Sequence, residues 1–127
     1  MKKILYGACA IILLAGCKKG TTITYRVINK SGEQISFTSY YNYTATGVSS
    51  TIVNNGDTRD ILIMGKGDGS FEKGYTAGKY IDSIKGWSFT GKTVSKNLSD
   101  ASNWTKVTNT KQNLHSFTTE VSPKDLK

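Results

Sequence analysis

Apolar and polar residues alternate with a period of two over much of this chain. From Thr22 to Asn29 the segment TITYRVIN sets Ile23, Tyr25 and Val27 against Thr24, Arg26 and Ile28. From Glu33 to Tyr41, Ile35, Phe37, Ser39 and Tyr41 alternate with Gln34, Ser36, Thr38 and Tyr40. Successive strand side chains point to opposite faces, so each run predicts a half-buried strand, and β-branched and aromatic residues suit it. Asn29 to Gly32 carries turn residues between the two runs, which predicts a hairpin. Leu114 to Val121 alternates again, with Leu114, Ser116 and Thr118 opposite His115, Phe117, Thr119 and Val121.

Other segments alternate less cleanly. Val48 to Val53 predicts a strand closed by the turn signal Asn54-Asn55-Gly56-Asp57. Ile61 to Met64 is a continuous apolar run, expected as a strand buried on both faces. In Lys79 to Thr90 the period changes near Gly86, which suggests a bulge or a bend there, and Trp87 with Phe89 and Ile84 reads as core. Lys92 to Leu98 and Thr105 to Thr110 read as short strands. Gly65 to Gly78 is glycine-rich and irregular. Pro123 ends the last strand. No helical period is sustained beyond the amino end. Many short strands between turns predict an all-β fold. The expectation is an immunoglobulin-like antiparallel sandwich of seven to eight strands, with a small up-and-down barrel as the alternative.

The amino end follows another pattern. MKKILYGACAIILLAGCKK opens on two lysines, continues in an apolar run from Ile4 to Leu14, and closes on Leu14-Ala15-Gly16-Cys17. The run is shorter than the ~20 residues that a membrane span needs and fits a secretory signal. The segment resembles a bacterial lipoprotein signal peptide ending in a lipobox. That resemblance implies cleavage before Cys17, a thioether from Cys17 to diacylglycerol, and acylation of its freed amino group. Stable attachment needs two or three chains, each buried methylene contributing about 0.8 kcal/mol. The expected organisation is a signal peptide over 1–16, a lipidated cysteine and short tether over 17–21, a sandwich over 22–122, and a polar tail over 123–127.

Charge and cysteine content narrow the function. There are 17 basic and 9 acidic residues. Cleavage would remove Lys2 and Lys3, leaving 15 basic residues and a net charge of about +6. Lysines dominate and are scattered, whereas nucleic-acid surfaces concentrate charge and use arginine forks. No nucleic-acid partner is expected, and the lysines read as solvated strand edges that discourage edge pairing. Cys9 falls in the signal and Cys17 is consumed by lipid, so no disulfide is expected.

The residues offer little for catalysis. His115 is the one histidine, and it lies in a predicted strand. No serine occupies a G-x-S-x-G elbow. Asp68 to Glu72 opens like a calcium loop, but Lys79 stands where the bidentate glutamate belongs. No enzyme activity, metal or cofactor is expected. An enzyme would have to use carboxylates such as Asp57, Asp60 or Asp82. Exposed aromatics are the better prospect for binding, and Tyr41, Tyr43 and Tyr75 are the candidate ligand contacts.

The segments TITYRVINKSGEQISF, RDILIMGKGDG, IDSIK and NWTKV…HSFTTEVSPKDL resemble small lipoproteins of Bacteroidota. The resemblance implies a β-sandwich and an envelope location, and supplies no activity. In that phylum, surface-exported lipoproteins carry acidic residues after the lipidated cysteine. Lys18-Lys19-Gly20 departs from this, which implies an outer-membrane anchor facing the periplasm, with the cell surface as the alternative. The phylum's O-glycosylation pattern matches Asp82-Ser83-Ile84, with Ser83 as acceptor. The expected function is a membrane-anchored, non-catalytic binding or adaptor domain for an envelope protein or glycan. A structural accessory subunit of an envelope complex is the alternative. The expected partners are membrane lipid through Cys17 and an envelope protein or glycan.

Overall fold

The computed structural model describes residues 20–42, 46–66 and 76–127. Cys17, Tyr43, Tyr75, the signal segment and the calcium-like stretch Asp68 to Glu72 lie outside them. The fold is all-β. Its strands are β1 (Thr21–Asn29), β2 (Ile35–Asn42), β3 (Thr46–Val53), β4 (Thr58–Lys66), β5 (Ile81–Ser88), β6 (Thr105–Asn109) and β7 (Leu114–Val121). They form a four-stranded sheet in the order β4-β1-β7-β6 and a three-stranded sheet in the order β3-β2-β5. The two pack face to face as a β-sandwich, and the barrel alternative does not form.

The alternating pattern places the core. Ile23, Tyr25 and Val27 of β1, Ile35 and Phe37 of β2, and Phe117 and Val121 of β7 are fully or almost fully buried. Tyr25 sits at the centre. Its ring stacks on Phe117 at 5.2 Å and meets Trp104 edge-on at 5.3 Å. Its hydroxyl donates a 2.6 Å hydrogen bond to the Ala77 carbonyl. Trp104 Nε1 donates to the Leu98 carbonyl at 2.8 Å. Both polar tips are thereby satisfied, which burial requires.

Several expectations are corrected. β1 and β2 do not form a hairpin; they lie in different sheets. Both edges of β1 are already taken, by β4 antiparallel and by β7 parallel. The parallel β1–β7 ladder also departs from the wholly antiparallel pairing that was expected. The cause of the crossing is buried Asn29. Its Nδ2 donates to the Glu33 carbonyl at 2.8 Å and the Val53 carbonyl at 2.9 Å, while its Oδ1 accepts from the Ser31 N–H and hydroxyl. All four hydrogen-bonding positions of the amide are used. The chain is thus fastened at a corner between the sheets.

The Ile61–Met64 run is not buried on both faces. Leu62 and Met64 face the core and Ile63 is exposed. The ladder shifts between Tyr25↔Leu62 and Arg26↔Asp60, so Ile61 is the extra residue of a bulge, and it too is buried. In β5 the shift falls opposite Tyr40 and Tyr41, at Asp82, not at Gly86. Gly86 is required for close approach: a Cβ there would stand 2.6 Å from Val94 Cγ2 and 3.0 Å from Phe37 Cε1.

Lys92 to Leu98 is not a strand. It makes only two isolated bridges, Trp87↔Thr93 and Val94↔Leu126. The closing residues dock as part of the fold. Pro123–Asp125 is a 3-10 turn, Asp125 is buried, and half-buried Leu126 packs on the core.

Candidate functional site

The strand register of the three-stranded sheet sets nine outward side chains in three rows. They are Val48–Tyr40–Ser83, Ser50–Thr38–Lys85 and Ile52–Ser36–Trp87. On the opposite face of the same strands, Ile35, Phe37, Ile84 and Ser39 fill the core. The outer face should therefore be polar, and its middle row is. Thr38 Oγ1 and Ser50 Oγ lie 3.3 Å apart, and Lys85 is exposed. The flanking rows are not. Tyr40 is 39 % exposed, Trp87 41 %, Ile52 46 % and Val48 58 %.

Four large apolar side chains thus stand in water on one small face. Singly exposed apolar residues are ordinary, and a grouped set is what makes this face the candidate site. Trp87 was expected in the core. It is on the outer face because Gly86 and Ser88 take the inward positions beside it. Phe89, also expected in the core, leaves the sheet in the turn after β5 and is exposed. The buried tryptophan is Trp104, at 7 %.

The candidates named from the sequence distribute unevenly. Tyr41 is half-buried, packs on the core, and lays its ring over Gly47, its cross-strand partner. It supports the sheet and does not present a free ring. Ser83 lies on the outer face opposite Tyr40 and is half-buried. His115 is fully buried on the core side of β7, with Nδ1 3.4 Å from Thr108 Oγ1.

The three carboxylates are spread apart. Asp57 lies in the β3–β4 turn and Asp60 on the outer face of the four-stranded sheet, where it pairs with Arg26 at 2.9 Å. Asp82 is in the other sheet, at the start of β5. Among the described residues no group of three or more histidine, cysteine, aspartate or glutamate side chains could hold a metal ion. Tyr40, Trp87, Val48 and Ile52 were not singled out as contacts. The available signal was their register: Tyr40 belongs to the face opposite Ile35 and Phe37. Comparison of the chain with protein-family models, curated proteins and solved structures gave no match.

Proposed function

We propose that this chain is a lipid-anchored, non-catalytic binding domain of the bacterial cell envelope. It docks an envelope protein or glycan on the outer face of its three-stranded sheet. The observation that carries the reading is the grouping of Tyr40, Val48, Ile52 and Trp87 on that face. The lipoprotein resemblance of the amino end supplies the anchor at Cys17 and an outer-membrane address facing the periplasm.

The geometry is compatible with both halves. β1 begins at Thr21, four positions after Cys17, so the end of the sandwich holding Thr21, Leu114 and Ile81 would lie against the bilayer. Trp87 stands near the other end of β5, about 20 Å further along at ~3.3 Å per strand residue. The Ile52–Trp87 row therefore lies at the end away from the lipid, and the Val48–Tyr40 row lies nearer to it.

A structural accessory subunit is the second reading. It is favoured by Val48 and Ile52, which extend the apolar surface onto the sheet-edge strand β3. A permanent complex that co-purifies in fixed stoichiometry separates it from a reversible binder.

The test is a photoreactive residue placed at Ile52 or at Ile63, with the full chain expressed in its own envelope. Adducts are expected at Ile52, not at Ile63, and are expected to vanish when Trp87 and Tyr40 are both changed to alanine. Equal adducts at the two positions would remove the docking face. Cys17→Ala is expected to release the protein from the membrane fraction, and its retention there would remove the anchor.

A further inference from the structure

We propose that a notch beside Trp87 and Lys85 binds an acidic sugar unit, a uronic-acid residue of a polysaccharide. This rests on the docking-face reading and names what the face takes. The notch is a cleft of about 250 Å³ lined by Ile84, Lys85, Gly86, Trp87, Thr93 and Val94.

Its origin is a covering segment that stops short. Lys92 to Val94 runs beside the edge of β5, with the Ser88 N–H donating to the Lys92 carbonyl at 2.8 Å and the Val94 N–H to the Gly86 carbonyl at 2.9 Å. Val94 tucks under the strand where Gly86 has no side chain. The next residue leaves: the Ser95 N–H donates to the Asp125 carbonyl at 2.7 Å. Among the described residues no strand pairs with the β5 edge from there, and Lys85, Trp87 and Thr93 line the resulting step.

The chemistry of those walls selects the ligand. The half-exposed indole offers a flat, electron-rich face to the C–H bonds of a pyranose ring. Lys85 is the only charged side chain among the nine on this face, and among the described residues no carboxylate pairs with it. Glu33, Asp60 and Glu120 already hold Lys92, Arg26 and Lys30.

One uncompensated ammonium beside one ring-sized cleft complements one carboxylate on one sugar. A phosphate dianion carries more charge than one ammonium neutralises, and no arginine lines the notch to add a second contact. The hydroxyls of Ser36, Thr38 and Ser50 continue along the face, so neighbouring sugars of the same chain find donors and acceptors. The net charge of about +6 that remains after cleavage before Cys17 adds a general attraction for polyanions.

The experiment is a titration of the full chain, extracted in detergent, with trigalacturonic acid and with the neutral trimer maltotriose. It is read by tryptophan emission and by calorimetry. Saturable binding of the acidic trimer is expected, weakening as salt is raised, with little binding of the neutral one. Lys85→Gln is expected to weaken the acidic trimer about tenfold, the scale of one hydrogen-bonded charge contact. Trp87→Ala is expected to abolish calorimetric binding. Lys111→Gln, in the β6–β7 turn at the far end of the molecule, is expected to change affinity less than twofold.

No saturable binding of trigalacturonic acid, or equal losses in Lys85→Gln and Lys111→Gln, would overturn the proposal. If the trimer fails while adducts at Ile52 persist, the face binds a protein or another glycan and only the sugar assignment falls. If both fail, the docking face falls with it.

Discussion

On the outside of the four-stranded sheet, Arg26 and Asp60 close an ion pair at 2.9 Å, and Thr22, Thr24, Ser116 and Thr118 occupy the middle strands. Its two exposed apolar residues, Ile63 and Val107, stand on the edge strands β4 and β6, three strand spacings or ~14 Å apart. On the outside of the three-stranded sheet, Val48 and Tyr40 are cross-strand neighbours, and Ile52 and Trp87 have only Ser36 between them. Both faces come from strands of similar length with the same pleat. On the first, the other outward apolar residues, Ile28 and Leu114, are half-buried, whereas the second exposes four in two rows. That exposed grouping is the observation behind the proposed docking face.

The two tryptophans give the sharpest way to break that contrast. Trp104→Ala is expected to cost about 3–5 kcal/mol, because it empties the core beside Tyr25 and orphans the Leu98 carbonyl. Trp87→Ala is expected to stay within about 0.5 kcal/mol, as a surface change. Chemical denaturation of both variants checks this, and equal losses would make Trp87 a structural residue.

Gly86→Ala comes next, at about 1–3 kcal/mol from overpacking against Val94 and Phe37. The same measurement checks it, and a neutral result would mean that the covering segment yields easily. On the four-stranded sheet, Arg26→Ala is expected to cost only about 0.2–1 kcal/mol, since the pair is largely solvated. It is also expected to leave photo-adducts at Ile52 unchanged. A loss of adducts in that variant would tie the two faces together.

The smallest effect is pH-dependent and touches the notch. Burial opposes the charge on Asp125, but the Ser122 N–H and hydroxyl donate to its carboxylate at 2.9 and 3.0 Å, and Lys96 and Lys124 add attraction. Its pKa is held below the ordinary 3.8. A depressed carboxylate contributes stability that is present above the ordinary value and lost as pH falls through the folded-state one. The closing segment carrying Asp125 is hydrogen-bonded to Thr93 and Ser95. Amide exchange at Thr93 and Ser95 is therefore expected to quicken below about pH 3.8. It is expected to do so before exchange at Tyr25 or Phe117. Simultaneous quickening would mean that the notch wall opens only with the whole fold.

Much of the fold was legible in the sequence. The strands around Ile23–Val27, Ile35–Tyr41 and Leu114–Val121 were readable with their inward faces, because a pleated strand writes its orientation into every second residue. The candidate site was hardly legible. Tyr40 could be assigned to the outer face, yet its neighbours there, Val48, Ile52 and Trp87, come from strands far apart in the chain. Trp87 was misread because Ile84 and Phe89 beside it suggested a buried run. The bulge at Asp82 and the close approach of Val94 to Gly86 determine which positions of β5 face inward.

The sequence alone determined an all-β chain with a lipobox-like amino end, and it determined which side of each cleanly alternating strand is apolar. Those properties are local, set by side-chain period and by turn residues. The tertiary structure decided which strands meet. No alternation or turn signal within Thr22–Tyr41 announces that the first two strands part company. The decision is made by Asn29, whose amide reaches the Val53 carbonyl across the sandwich, and by β7, which pairs with β1 in parallel from the far end of the chain. Burial of a tryptophan is decided in the same way. Trp104 goes inside because Tyr25 packs against its ring and the Leu98 carbonyl accepts its N–H, while Trp87 stays in water because no described segment folds over it.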